Sequence, residues 1–355
     1  MSDSTLYKRI LQELRYIINE NKNIKGYKLP SERILAMKFG SSRPPIRAAY
    51  QKLIEQGLVE VVHGKGYFIK SEENARFNDH RVKTQILFVT PSMKTSFMQQ
   101  IHSGIVKFCE NNNVELSIKI TDLSEKQEKK ILASAPYSNY DGLILFPVDS
   151  EYYSEPLLKL SIAKYPTVII DRYIKSLNLS FVSTDNHKAM VDTVRYLHNK
   201  KFKHIVFVTF EPSLATTVEE RINGYNTGML KYYGYTSAAN LLTLKSNNKD
   251  YILKTIKNFL QENPDTDALI INDVYLSVAH LATSELNIKV PEKLRIVVFD
   301  EEISFMEKNL IKPYIIKQDA ENIGYFAANC VYNQIIGDKR TVSKKFPAKI
   351  INTEI

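Results

Sequence analysis

Along the first sixty residues apolar positions recur at the three-to-four spacing of one helix face, and then the spacing changes. Leu6, Ile10, Leu14, Ile17 and Ile18 predict a helix from Leu6 to Asn21. Shorter patterns predict a second from Ser31 to Phe39 and a third from Ser42 to Gln56, the last with Ile46, Ala49, Tyr50, Leu53 and Ile54 on one side. Ser42 is a cap residue, and Gly57 suits a helix stop. Pro44 and Pro45 fit a first turn, where their missing N–H groups would be unpaired anyway. Arg43 and Arg47, four apart, then share a face near a helix N-terminus, where the backbone dipole favours an anion. The run "LVEVVHGKGYFIK" that follows is two β-rich pieces around glycines that permit a hairpin, with Lys65 at its tip.

The stretch "SEENARFNDHRVK", residues 71–83, is polar and without apolar period, and reads as a linker. From Thr84 onward short buried-type runs alternate with helical stretches: "TQILFVT", "VELSIKI", "DGLILFP", "YPTVIID" and "SFVSTD", then "HIVFVTF", "NLLTL", "DALIIND" and "LRIVVFD". Strands alternating with helices imply parallel, doubly wound sheets. Two such series, one ending near Asp185 and one starting at Lys203, imply two similar lobes. The expected domains are 1–70, a helical unit with a hairpin, and 84–355, an α/β unit of two lobes, joined by 71–83.

Charge sharpens this division. The chain carries a net +9, yet its first 70 residues hold 13 Lys and Arg against 6 Asp and Glu. A basic excess confined to one small segment is a footprint for nucleic acid. No apolar run reaches the roughly 20 residues of a membrane span, and the start "MSDSTLYKRI" lacks the apolar core of a secretory signal, so a cytoplasmic chain is expected. Cys109 and Cys330 are far apart and lack metal-type spacing, which predicts buried thiols. The seven histidines show no H-E-x-x-H, and no G-x-S-x-G occurs. No catalytic residue, metal or cofactor is expected.

In open α/β sheets ligands bind beyond the carboxyl ends of the strands. That rule selects Asp149, Asp171, Arg172, Asp185, Asn272, Asp273 and Asp300. Asp185 and Asp273 serve equally well as helix caps. Asp, Asn and Arg are planar partners for the adjacent hydroxyls of a sugar, with an aromatic ring for its apolar face. The sequence has no tryptophan, which leaves Phe97 as the first choice of ring and Tyr173 and Phe305 behind it.

Three helices and a hairpin in this order, with "LPSER" opening the second helix and "GKGYFI" at the end, resemble the amino-terminal DNA-binding domain of the GntR family of bacterial regulators. The resemblance implies a winged helix-turn-helix in which Arg33, Arg43 and Arg47 contact DNA and His63, Gly64, Lys65 and Gly66 form the wing. Pro44 and Pro45 stand where the family commonly has a serine or threonine pair, so those hydroxyl contacts are lost. Downstream, "DGLILFP", "PTVIIDR", "VSTDN", "KFKHIVFV", "ERINGY", "IINDV", "VPEKLRIVVFDE" and "IKQDAENIG" appear in the order of the effector domain of the LacI and GalR repressors, which is related to periplasmic sugar-binding proteins. That likeness implies a periplasmic-binding-protein-like fold and maps effector contacts onto Arg221, Asn272, Asp300, Gln318 and Asp149. The two halves together resemble the arabinose-repressor subgroup. Its implied function is a homodimeric repressor of carbohydrate-utilisation genes, binding double-stranded operator DNA under control of a sugar or sugar phosphate, with a pentose or 6-deoxyhexose the first expectation. A regulator answering a non-sugar molecule, or a sugar-binding protein without catalysis, are the alternatives; the basic winged helix argues against a pure carrier.

Overall fold

Ile10, Leu14, Ile46, Ala49, Tyr50 and Leu53, on the apolar faces of the predicted helices, meet in one core with Leu29, Leu35, Val59 and Ile69. In the computed structural model these belong to the first of two compact units, Met1–Lys83 and Thr84–Ile355. The structure describes residues 3–21, 27–62, 65–70, 84–148, 154–173, 177–210, 216–236, 240–300, 305–338 and 340–354.

The first unit contains α1 (Asp3–Asn21), α2 (Glu32–Phe39), α3 (Arg43–Glu55), β1 (Val59–Val62) and β2 (Gly66–Ile69). β1 and β2 pair antiparallel, with Val62 opposite Gly66. Ser31 caps α2 by accepting from the Ile34 N–H, and Gly40 closes it in the left-handed region, φ 57°. Ser42 occupies the cap position of α3 but its side chain makes no cap bond. The reason is local: a capping oxygen accepts from the second or third helical N–H, and in α3 those residues are Pro44 and Pro45. The prolines start the helix by their fixed φ instead.

The second unit holds two six-stranded sheets of matching order, β13-β7-β6-β5-β3-β4 and β14-β12-β11-β10-β8-β9. The first lobe runs through β3 (Thr84–Thr90), α4 (Ser96–Asn111), β4 (Val114–Ile120), α5 (Glu125–Ser134), β5 (Gly142–Leu145), α6 (Glu155–Ile162), β6 (Thr167–Ile170) and β7 (Ser180–Thr184). The second runs through α7 (Asn186–Asn199), β8 (Ile205–Phe210), α8 (Thr216–Tyr233), β9 (Leu241–Leu244), α9 (Lys249–Glu262), β10 (Ala268–Asn272), α10 (Leu276–Glu285), β11 (Arg295–Phe299), α11 (Phe305–Ile311) and β12 (Tyr314–Lys317). All pairings within these two series are parallel.

The lobes are not two consecutive blocks, as the strand runs alone imply. α12 (Ala320–Ile335) returns to the first lobe, where Ala320, Ile323, Ala327 and Val331 pack with Ile86, Phe88 and Ile101. β13 (Ser343–Phe346) then joins β7 in parallel, and β14 (Lys349–Asn352) crosses back to pair antiparallel with β12. The chain therefore passes between lobes after β7, after β12 and after β13. Buried apolar clusters line both faces of each sheet, as parallel sheets require. Among the described residues no helix is long and apolar enough to cross a membrane.

Candidate functional site

In the first unit Arg33 on α2, Arg43 and Arg47 on α3 and Lys65 before β2 are all exposed, while Gly66 opens β2 with φ 112°, a conformation that favours glycine. His63 and Gly64 lie outside the described residues. Arg47 is not a bare charge. Its Nε and Nη2 donate to the two carboxylate oxygens of Glu32 on α2, at 3.2 and 3.1 Å. The same Glu32 accepts from the Tyr67 hydroxyl on β2 at 2.7 Å, and Tyr67 lies flat on Tyr50 of α3, ring centroids 3.7 Å apart. Tyr50 in turn donates to the Pro30 carbonyl. One carboxylate thus ties together the second helix, the third helix and the hairpin, while the Arg47 side chain stays 67% exposed. Hydrogen bonding from Arg47 holds the Glu32 carboxyl below its ordinary range, against a smaller opposing push from burial. Neither Glu32 nor Tyr67 stands out in the sequence: "LPSER" marks the position of Glu32 but not its partners, Arg47 and Tyr67, 15 and 35 residues further on.

In the second unit the candidates gather where strands of the two lobes end. Asp171 follows β6 and Asp300 follows β11, strands at equivalent positions in the two sheets. Both sit in the left-handed region, φ 67° and 77°, which short polar residues tolerate best. Arg221, on the second turn of α8, lays its guanidinium 3.6 Å from the centroid of Phe299 and donates from Nε to Asn186 Oδ1 at 2.9 Å. Asn186 is fully buried and donates back to the Thr184 carbonyl. Gln318, also buried, donates to Asp300 Oδ1 at 2.5 Å and accepts from the Thr184 hydroxyl. Gln318 and Thr184 both lie at points where the chain crosses between lobes.

Burial pushes the Asp300 carboxyl up to about 7, the attraction of Arg221 opposing it and Asp273 adding to it. Burial likewise lowers Arg221, with Asp300 and Asp171 acting the other way. The cluster therefore joins Arg221, Asp300, Asp171, Asp273 and Arg172 in one electrostatic group drawn from both lobes. Arg172 is paired with Asp171, 3.5 Å from Nε to Oδ2, and stands over Phe146, which Phe97 meets edge-on at 6.4 Å.

Other expectations resolve differently. Asp185 is the cap of α7, accepting from the Lys188 N–H at 3.0 Å. At the end of β10 it is Asn272 that caps the following turn, through Oδ1 to the Val274 N–H, while Asp273 is buried behind it. Tyr173 is engaged elsewhere: its ring stacks on Phe181 at 4.0 Å, Lys345 Nζ stands 5.5 Å from the ring centroid, and its hydroxyl donates to Glu220 at 2.7 Å. Asp149 lies outside the described residues, as does the side chain of Phe305. Cys109 and Cys330 are buried. Asn186 and Phe299 escaped the sequence reading: one follows a cap aspartate in "TDN" and the other is simply the last apolar residue of a strand. A groove of about 490 Å³ lined by Leu260, Asn263, Leu286 and Lys289 lies before β10 and β11, at the opposite strand ends, and gathers none of these groups.

A basic winged helix-turn-helix joined in one chain to two doubly wound lobes with a polar cluster at their strand ends defines the class: a DNA-reading unit coupled to a ligand-binding unit. The chain belongs to the periplasmic binding protein domain family, which matches residues 86–339, and residues 6–69 match the gntR family of bacterial regulatory proteins. It is 21% identical to an arabinose metabolism transcriptional repressor of Halalkalibacterium halodurans, over 98% of this chain and 94% of that one. It is 27% identical over 222 residues, 61% of its length, to the probable HTH-type transcriptional regulator EndR of Paenibacillus polymyxa, of which it spans 63%. The solved structure of the transcription regulator CcpA of Lactococcus lactis shares the fold, with a TM-score of 0.66 at 15% identity over 76% of this chain and 98% of that one.

Proposed function

We propose that this chain is a sequence-specific DNA-binding transcriptional regulator, a cytoplasmic homodimeric repressor of carbohydrate-utilisation genes, whose grip on its operator is set by a small sugar-like effector. The observation that carries this reading is the pairing, in one chain, of an exposed arginine-bearing helix end with the Arg221–Asp300–Gln318 cluster between two lobes. The full-length likeness to an arabinose metabolism repressor supports a pentose as the first effector to try, with 6-deoxyhexoses next. Residues 1–70 act as the reader, 71–83 as the linker and 84–355 as the sensor and dimer contact.

Arg33, Arg43 and Arg47, with His63, Gly64, Lys65 and Gly66 of the wing, are the proposed DNA contacts. Arg221, Asn272, Asp300 and Gln318, with Phe97 and Asp149, are the proposed effector contacts. A carboxylate accepts hydroxyl protons and a guanidinium donates to hydroxyl oxygens, which together suit a polyol. Effector binding changes the lobe arrangement, and because DNA half-sites have fixed spacing, a change in the separation of two winged helices changes affinity. The test is a thermal-shift screen of pentoses, hexoses, 6-deoxyhexoses and their phosphates on the full chain, since a ligand specific to the folded state raises the melting temperature. Hits are then added to an operator-binding titration. A hit that shifts operator affinity supports the reading; a chain that binds DNA and responds to no member of the panel refutes the effector assignment.

A further inference from the structure

We propose that Glu220 is a positioning residue that clasps the two lobes of the second unit together through Tyr173 and Lys345, and so sets the distance between the groups each lobe brings to the cleft. The proposal rests on the lobe geometry and stands whichever small molecule the cleft takes.

Glu220 is on α8 of the second lobe, while Tyr173 follows β6 and Lys345 is on β13, both in the first lobe. Two first-lobe donors converge on one second-lobe oxygen: the Tyr173 hydroxyl reaches Glu220 Oε1 at 2.7 Å and Lys345 Nζ reaches the same atom at 2.6 Å. A third bond crosses the same gap, from the Tyr173 backbone N–H to Thr216 Oγ1 at 3.1 Å. Thr216 and Glu220 are four apart and so share one face of α8.

The clasp differs from an ordinary surface ion pair, which contributes little because two long side chains must be ordered in water. Glu220 is mostly covered, its side chain 13% exposed against 32% for Lys345. The Tyr173 ring is already held flat against Phe181, only 10° from parallel, with the Lys345 ammonium near its face. The donors are therefore in place before Glu220 arrives, and charge-assisted bonds of this kind are the strong ones. Arg221 is the next residue along α8, and Asp171 and Arg172 are the two residues before Tyr173. Holding Glu220 to Tyr173 consequently holds Arg221 in the electrostatic range of Asp171 and Arg172. Together with the Thr184–Gln318–Asp300 bonds beside the crossovers, the clasp biases the lobes toward the arrangement seen before any ligand acts.

The experiment is a spin-label distance measurement on the full chain carrying Lys126→Cys on α5 and Lys254→Cys on α9, both exposed positions, one in each lobe. The natural Cys109 and Cys330 are 3% and 5% exposed and so are shielded from the label. Labelled chain is diluted with unlabelled chain so that only distances within one protomer count. The parent should give one narrow distance. Glu220→Gln should raise the share of a second, longer distance about tenfold, the expected effect of losing a charge-assisted bond. Tyr173→Phe and Lys345→Met should each do so, and their combined effect should differ from the sum of the two, because both donate to one atom. An unchanged distance distribution in Glu220→Gln overturns the proposal. If that variant does not fold, an unchanged distribution in Tyr173→Phe overturns it equally. A lowered melting temperature without a change in distance would make Glu220 structural only, which also overturns it.

Discussion

Two side chains concentrate the proposed chemistry. Arg47 is held by Glu32 at Nε and Nη2 while most of its side chain stays exposed, and a guanidinium held in one orientation is a better reader than a free one. Arg47→Ala should cost about 1–3 kcal/mol in operator binding and relax discrimination at a single base step. Competition against operators changed one base pair at a time checks this, and uniform weakening would reduce Arg47 to a phosphate contact. Asp300 is the second. Asp300→Ala should abolish the effector response while leaving operator affinity near that of the parent, as measured by operator titrations with and without the sugar found in the screen. Its carboxyl is raised to about 7 by burial, so the folded state binds a proton that the unfolded chain has already lost. Stability from this group is therefore greatest at low pH and declines as pH rises toward 7. Effector binding that uses the ionised carboxylate as acceptor runs the other way: affinity should fall between pH 8 and pH 6 in the parent and lose that dependence in Asp300→Asn.

At the scale of elements, the proposed effector cluster depends on how closely α8 lies against α7. Gly224 sits on the α8 face that touches the His187 backbone, and a Cβ there would collide with it. Gly228, one turn on, is similarly crowded by Val194. That approach is what lets Arg221 reach Asn186 at the start of α7. Alanine normally favours a helix by up to about 1 kcal/mol over glycine. At Gly224 the sign should reverse: Gly224→Ala should destabilise by about 1–3 kcal/mol, as overpacking does, and weaken effector binding with it. A denaturant midpoint together with a ligand titration reads both effects. In the first lobe Gly104 and Gly324 bring α4 and α12 together in the same manner, which is why α12 belongs there although it follows the second series of strands in sequence.

For the whole molecule, the DNA unit and the two-lobed unit are proposed to be linked by a single equilibrium. Effector and operator must then change each other's affinity by one and the same factor, typically about 5- to 150-fold. Measuring sugar affinity with and without operator DNA, and operator affinity with and without sugar, tests this, and unequal factors would refute it. The basic excess of the first 70 residues should also give operator binding a steep fall with salt, read as the slope of log affinity against log salt concentration.

Much of this was open to reading in the one-dimensional chain, because apolar period, glycine and proline placement and charge are local properties. The three helices, the hairpin, the alternating strands and the aspartates at strand ends all follow from near neighbours. The placement of α12 and β13, the coupling of Glu32 to Arg47 and Tyr67, the buried Asn186 under Arg221 and the Glu220 clasp join residues far apart in sequence. Each depends on which helix packs against which sheet and how closely, and that is settled by three-dimensional packing: a carboxylate's partner is chosen by distance in space, which no local pattern encodes.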